Sequence, residues 1–235
     1  MLLLTCVYVF SGRVTSVFAD RISLHSRWYN ARFFVQEATR DYMKTFERTL
    51  ISLSAATLCG VKPASLMSFS KAIFVQECAK IAAWNKVLHV SGRRIRAVRR
   101  GEELFLLFIY DQWLLQAALL QEGVSSYLAH KGYDVRGGGG GVLQELFSRL
   151  ARDRQFPHEV GVFLGYPLED VAGYERYAGT KAKFCGIWAV YGDVRAAQAQ
   201  MELYKRCTAF CTALFHGGSD FESICKKINH YARSV

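Results

Sequence analysis

The stretch from Phe156 to Asp193 constrains this chain most, because its prolines and glycines dictate where regular structure can begin and end. It opens F-P-H-E-V-G-V-F-L-G-Y-P-L-E-D-V and closes K-F-C-G-I-W-A-V-Y-G-D, and it holds two of the three prolines in the chain. Glu159–Gly165 is short, apolar and partly β-branched, which predicts a buried strand. Pro167 cannot continue a ladder but suits the first turn of a helix, where Glu169 and Asp170 meet the positive end of the helix dipole. That helix is expected through Val171 to about Tyr177, with Gly179 ending it. Phe184–Tyr191 predicts a second strand, and Gly192-Asp193 a turn or N-cap before a long helix. The unit reads strand, short helix, strand, helix.

Phe156–Val171, together with C-G-I-W-A-V-Y-G-D from Cys185 to Asp193, resembles the signature of a bacterial, largely clostridial family, domain of unknown function 3793. T-L-C-G-V-K-P-A-S-L-M-S-F, from Thr57 to Phe69, resembles that family's second motif. The resemblance runs from Met43 to about Gly217 and brings no established activity with it. Relatives usually carry His-Cys-Ala-Pro just upstream of the second motif, where this chain has Leu53-Ser54-Ala55-Ala56. The departure implies either that the N-terminal half carries no essential thiol chemistry here or that an activity of relatives has been lost.

Residues 1–42 lie outside the resemblance and are expected to be an N-terminal extension, with 43–235 a single α+β domain. Met1–Phe10 is apolar, and Val17-Phe18-Ala19 faintly resembles a cleavage site. No basic segment precedes it, however, and Ser11, Gly12 and Arg13 break a run already too short to span a bilayer. Met43–Leu58 and Ser70–Leu88 have helical spacing, the first closed by Gly60 and Pro63. Arg93–Arg99 and Glu102–Tyr110 form a hairpin pattern across Arg100-Gly101, and the apolar Leu104–Ile109 predicts a central strand. Further helices are expected over Gln112–Leu120, Val124–His130, Leu143–Asp153, Val194–Phe215 and Phe221–Tyr231. The five glycines Gly137–Gly141 lack the preceding strand and the Lys-Ser/Thr of a phosphate loop, so a flexible loop is expected there. Strands and helices do not alternate regularly, which predicts an α+β fold: a mixed or antiparallel sheet of about four strands packed with several helices.

The net charge of +10 favours acidic partners, nucleic acid or anionic surfaces, although no long block of like charge exists. The densest basic run, Arg93 to Arg100, alternates with Ile95, Ala97 and Val98, so several arginines should share a solvated strand face. The seven cysteines are odd in number and not spaced as a disulfide framework, which fits reduced thiols in a cytoplasmic protein. Cys207 and Cys211 are one helical turn apart, and core packing accounts for them. No Ser-His-Asp order, zinc motif or nucleotide fingerprint is present, so no cofactor follows from the sequence.

The candidate ligand-binding residues are His158, Glu159, Tyr166, Asp170, Cys185 and Asp193. If the two predicted strands pair, Cys185 or Tyr191 would approach His158, giving a nucleophile pair or a metal site. Each of these residues also has a structural reading, as a cap, a helix-end acid or a packing group. Two functions follow. One is a small-ligand- or metal-binding domain, the ligand anionic, with its site around the Phe156–Asp193 motif. The other is a non-catalytic basic interaction module that binds an acidic protein or nucleic acid.

Overall fold

The computed structural model describes residues 8–9, 46–136, 139–152 and 155–233. Helix α1 (Phe46–Leu58) leads into strand β2 (Ala64–Ser70), after the short β1 (Tyr8–Val9). Then follow α2 (Lys71–His89), β3 (Arg93–Arg100), β4 (Leu104–Asp111), α3 (Gln112–Leu119), α4 (Val124–His130) and α5 (Gly139–Arg152). The motif region contains α6 (Val160–Phe163), α7 (Leu168–Tyr177) and the two-residue strands β5 (Phe184–Cys185) and β6 (Ala189–Val190). Two helices, α8 (Val194–His216) and α9 (Phe221–Arg233), complete the described order. The fold is α+β and rich in helix, as the irregular order of elements implied.

The main sheet runs β1-β2-β4-β3, with β1 parallel to β2 and the other pairs antiparallel. The hairpin expected across Arg100-Gly101 is present, with Arg100 opposite Leu104 and Gly101 at φ +64°. β4 lies between β2 and β3, and Leu106 to Ile109 are buried. A strand flanked on both sides and covered on both faces must be apolar throughout, hence the run Leu104–Ile109. β2 was not foreseen. Its serines disguise it, yet Ser65 and Ser68 are buried, and Ser65 shares a 2.9 Å hydrogen bond with Thr57 of α1. β1 hydrogen-bonds Tyr8 and Val9, within the expected N-terminal extension, to the edge of β2.

Helix ends follow the local chemistry that the sequence displays. Asp111 accepts the amides of Trp113 and Leu114 at 3.0 and 3.1 Å, which starts α3, and Asp193 accepts those of Arg195 and Ala196 at 2.8 and 3.1 Å, which starts α8. Gly60, at φ +71°, takes the left-handed turn after α1. α5 begins at Gly139, so the last three glycines of Gly137–Gly141 belong to a helix rather than to the expected loop; Gly137 and Gly138 lie outside the described residues.

Three further expectations are corrected. First, Glu159–Gly165 is not a strand. Val162 and Leu164 donate to the carbonyls of Glu159 and Val160 at 3.0 Å, forming the short helix α6. Gly165 (φ +79°) donates to Val162 O at 3.0 Å and Tyr166 to Gly161 O at 2.9 Å, the paired bonds of a Schellman turn. Val160 to Leu164 are all buried, and an apolar run this short has no period to separate strand from helix. Second, Phe184–Tyr191 is not one strand but a tight hairpin that reverses at Gly186–Ile187, with Gly186 N–H donating to Trp188 O at 3.1 Å. The motif therefore contributes no strand to the main sheet. Third, the arginine row is only partly solvated. Arg93 is buried against Asp111, while Arg100 donates to Leu150 O at 2.7 Å and lies over the Phe156 ring. Arg96 and Arg99 remain exposed, although Arg96 also lies over Phe147 of α5.

Candidate functional site

The motif folds back on itself, and Asp170 is the point of closure. It sits in the first turn of α7, is only 2% exposed, and its carboxylate accepts three hydrogen bonds. These come from Trp188 Nε1 at 2.7 Å, Tyr191 N at 2.7 Å and Gly192 N at 2.9 Å. One helix-end acid thereby holds the hairpin β5–β6 against α7, and the helix dipole favours its charge. Neighbouring residues repeat the pattern. Glu169 accepts the amide of Asp193 at 3.3 Å. Tyr191 packs on the bare backbone of Gly173, and its hydroxyl accepts the Gly179 amide at 3.1 Å. Tyr166 stacks on Trp188 with ring centroids 4.7 Å apart. The Lys62 ammonium stands 5.5 Å from the centroids of both Tyr166 and Tyr204.

The candidate residues fall into four places. Tyr166 and Asp170 line one small cavity with Val171, Tyr174, Trp188 and Ala189, and His158 stands edge-on to Tyr174 at 5.2 Å. The cavity holds about 10 Å³, the room of one water molecule. Glu159 lies elsewhere, accepting from Tyr133 Oη and Arg149 Nη1, each at 3.1 Å. Burial first, and then the Glu159 charge, pushes the Tyr133 hydroxyl well above the usual tyrosine range. Cys185 is exposed in β5, its thiol pushed up by partial burial, and Asp193 caps α8. The expected pairing of two motif strands, which would have brought Cys185 toward His158, does not occur. His158 Nδ1 is buried without a hydrogen-bond partner among the described residues, and burial lowers the ring's pKa. Among the described residues, no group of three or more His, Cys, Asp or Glu is placed to hold a metal ion.

A larger opening lies away from the motif, where the end of α2 meets the starts of β3 and α3. This groove of about 540 Å³ is lined by His89, Val90, Gly92, Arg93, Arg94 and Trp113, among others. Trp113 is 67% exposed and Val90 79% exposed. Gly92, at φ +75°, closes the turn, and the Trp113 indole rests on it: a Cβ there would stand 2.9 Å from Nε1. Below them Arg93 is held by an ion pair from Nε to Asp111 Oδ2 at 3.3 Å and by Nη1 donating to Asn229 Oδ1 at 3.0 Å and Ser91 Oγ at 3.2 Å, while Nε itself makes no hydrogen bond among the described residues. Arg94 reaches back to the His89 and Arg93 carbonyls at 3.3 and 2.8 Å, which sets its guanidinium on the groove wall. Leu120, seven positions after Trp113 and just past the end of α3, is also 76% exposed. Sequence reasoning missed this site. The only signal was a tryptophan following an N-cap aspartate, on a helix too apolar throughout to show which face looks outward.

The chain belongs to the family described as Protein of unknown function (DUF3793), whose model matches residues 50–225. No curated protein and no solved structure matches the chain. Within the matched span, Leu53–Ala56 lies inside α1: Ser54, Ala55 and Ala56 are buried, and Ser54 Oγ donates to Leu50 O at 2.6 Å. Among the described residues, no helix is long and apolar enough to cross a membrane.

Proposed function

We propose that this protein is a binding module that docks an acidic protein segment in the groove between α2, β3 and α3. The observation that carries this reading is the exposed indole of Trp113, seated on Gly92 beside Arg94 and His89. Large apolar side chains exposed next to one sign of charge mark a docking surface rather than ordinary solvent contact. Among the described residues that line the groove there is no carboxylate, and the nearby Asp111 is spent on Arg93. The exposed Val90 and Leu120 favour a protein ligand over nucleic acid, which uses aromatic faces and cations but has no use for aliphatic anchors. The net charge of +10 disfavours a second copy of the chain as occupant. The cytoplasm is the setting this reading implies.

The test is fluorescence anisotropy with two labelled probes, an acidic amphipathic peptide of Glu, Leu and Phe and a single-stranded oligothymidylate. The peptide should bind saturably, more weakly as salt rises, and Trp113→Ala and Arg94→Glu should each weaken it at least tenfold. Failure of the peptide to bind, or equal binding of the oligonucleotide, would overturn the reading.

A second reading places a small anionic ligand or metal ion beside His158, and one observation favours it: the buried Nδ1, which has no hydrogen-bond partner among the described residues. His158→Ala should then abolish co-purifying ligand, assayed by native mass spectrometry with metal analysis, and leave the melting temperature nearly unchanged. A destabilised variant with its ligand content intact ends that reading.

A further inference from the structure

Beneath the groove, Cys59 meets two cysteines from the far end of the sequence. Cys59 follows the last residue of α1, and its Sγ lies 3.7 Å from Sγ of Cys211 on α8, a residue 152 positions away. Cys207 lies one turn before Cys211 on the same helix and is also buried. Helices α1 and α8 run against each other, and Thr208 Oγ1 reaches the Ser52 carbonyl at 3.5 Å. Core packing alone explains small apolar residues here, but it does not require sulfur to meet sulfur across two helices.

We propose that Cys59 and Cys211 form a reversible disulfide couple, closed by low-molecular-weight disulfides and opened by thiols. A disulfide needs its sulfurs at about 2.05 Å, so from 3.7 Å closure calls for an approach of about 1.7 Å by two side chains already in contact. Cys59 is half-buried and Cys211 fully buried, which sets the order of events. Cys59, as thiolate, attacks one sulfur of the small disulfide; a mixed disulfide forms, and the first small thiol leaves with the proton Cys59 released. Cys211 then loses its proton and attacks the Cys59 sulfur, displacing the second small thiol. Two protein thiols and one small disulfide thus become one protein disulfide and two small thiols. The Arg93 guanidinium lies against Gly60, next to Cys59, and favours the attacking thiolate. The Cys211 thiol and burial act the other way and hold Cys59 above the ordinary thiol range, so exchange is slow and needs sustained oxidising conditions. Cys207 also neighbours Cys59, with its thiol pushed up to about 12 chiefly by burial, so the partner in the bond is decided by mapping the cross-link. Closed, the bond clamps the end of α1 to α8.

The test uses the reduced full-length protein incubated with oxidised glutathione, followed by intact mass measurement and peptide mapping. The expected result is loss of two hydrogens, a cross-linked pair of peptides containing Cys59 and Cys211, a raised melting temperature and full reversal by dithiothreitol. Cys207→Ser should cross-link as the wild type does, while Cys59→Ser and Cys211→Ser should not. Peptide mapping of the wild type decides the matter even if a serine variant folds poorly. A glutathione adduct on Cys59 without a cross-link, a Cys59–Cys207 bond, or no reaction of the folded protein would each overturn the proposal.

Discussion

Replacing Asp170 by Asn tests whether the motif is held together by one buried carboxylate. Asn keeps the shape and one acceptor oxygen, which can retain the amides of Tyr191 and Gly192, both now bound to Oδ1. Its NH₂ group would face Trp188 Nε1, a donor that now bonds Oδ2 at 2.7 Å. Two donors would then oppose each other at a side chain that is only 2% exposed. A hydrogen bond to a charged group contributes about 1.5–3 kcal/mol, and the remaining two bonds lose their charge assistance. The expected loss is about 3 kcal/mol, or roughly 6–12 °C in melting temperature for a chain of this size. Urea unfolding followed by far-UV circular dichroism reads it directly. Trp188→Phe removes the opposing donor, so Asp170→Asn should cost about 1 kcal/mol less in that background. A single variant within about 0.5 kcal/mol of wild type, or two changes that simply add, would refute the argument.

Other outcomes follow from the same geometry. Gly173→Ala places a Cβ 2.7 Å from Cδ2 of Tyr191, and overpacking of this kind should cost about 1–3 kcal/mol in the same unfolding assay. Burial depresses the pKa of His158 in the fold, so its contribution is complete above the unfolded value of about 6.5 and is lost as pH falls through the lower folded value. His158→Gln should therefore flatten the fall in stability on that acid side, as read by melting temperature against pH. A chain starting at Met43 lacks the Tyr8–Val9 pairing with β2 but should still melt cooperatively, with only a small fall in melting temperature; loss of the cooperative transition would contradict this.

Much of the local architecture is legible in the residues themselves, because it is settled within a few positions along the chain. Asp111 and Asp193 announce the starts of α3 and α8, Gly60 the end of α1, and Arg100-Gly101 the turn between β3 and β4. The apolar run Leu104–Ile109 could only be a covered strand, and the irregular order of elements implied α+β. Of the candidate residues, Tyr166 and Asp170 do meet at one cavity, near His158, while Glu159, Cys185 and Asp193 lie apart from it.

Tertiary packing decided the rest. Val160–Phe163 turns helical because its amides close on carbonyls three and four residues back and Gly165 accepts the left-handed turn, a choice that a run apolar on every side does not display. Asp170 shows from the sequence only as a helix-end acid; that it also holds Trp188, Tyr191 and Gly192 depends on a hairpin eighteen residues or more away folding onto its helix. The groove at Trp113 shows locally only as a tryptophan after an N-cap aspartate, and the meeting of Cys59 with Cys211 has no local signature. Periodicity and capping report how a segment treats its own backbone, whereas a site made by separate elements exists only once their buried faces have set the distance between them.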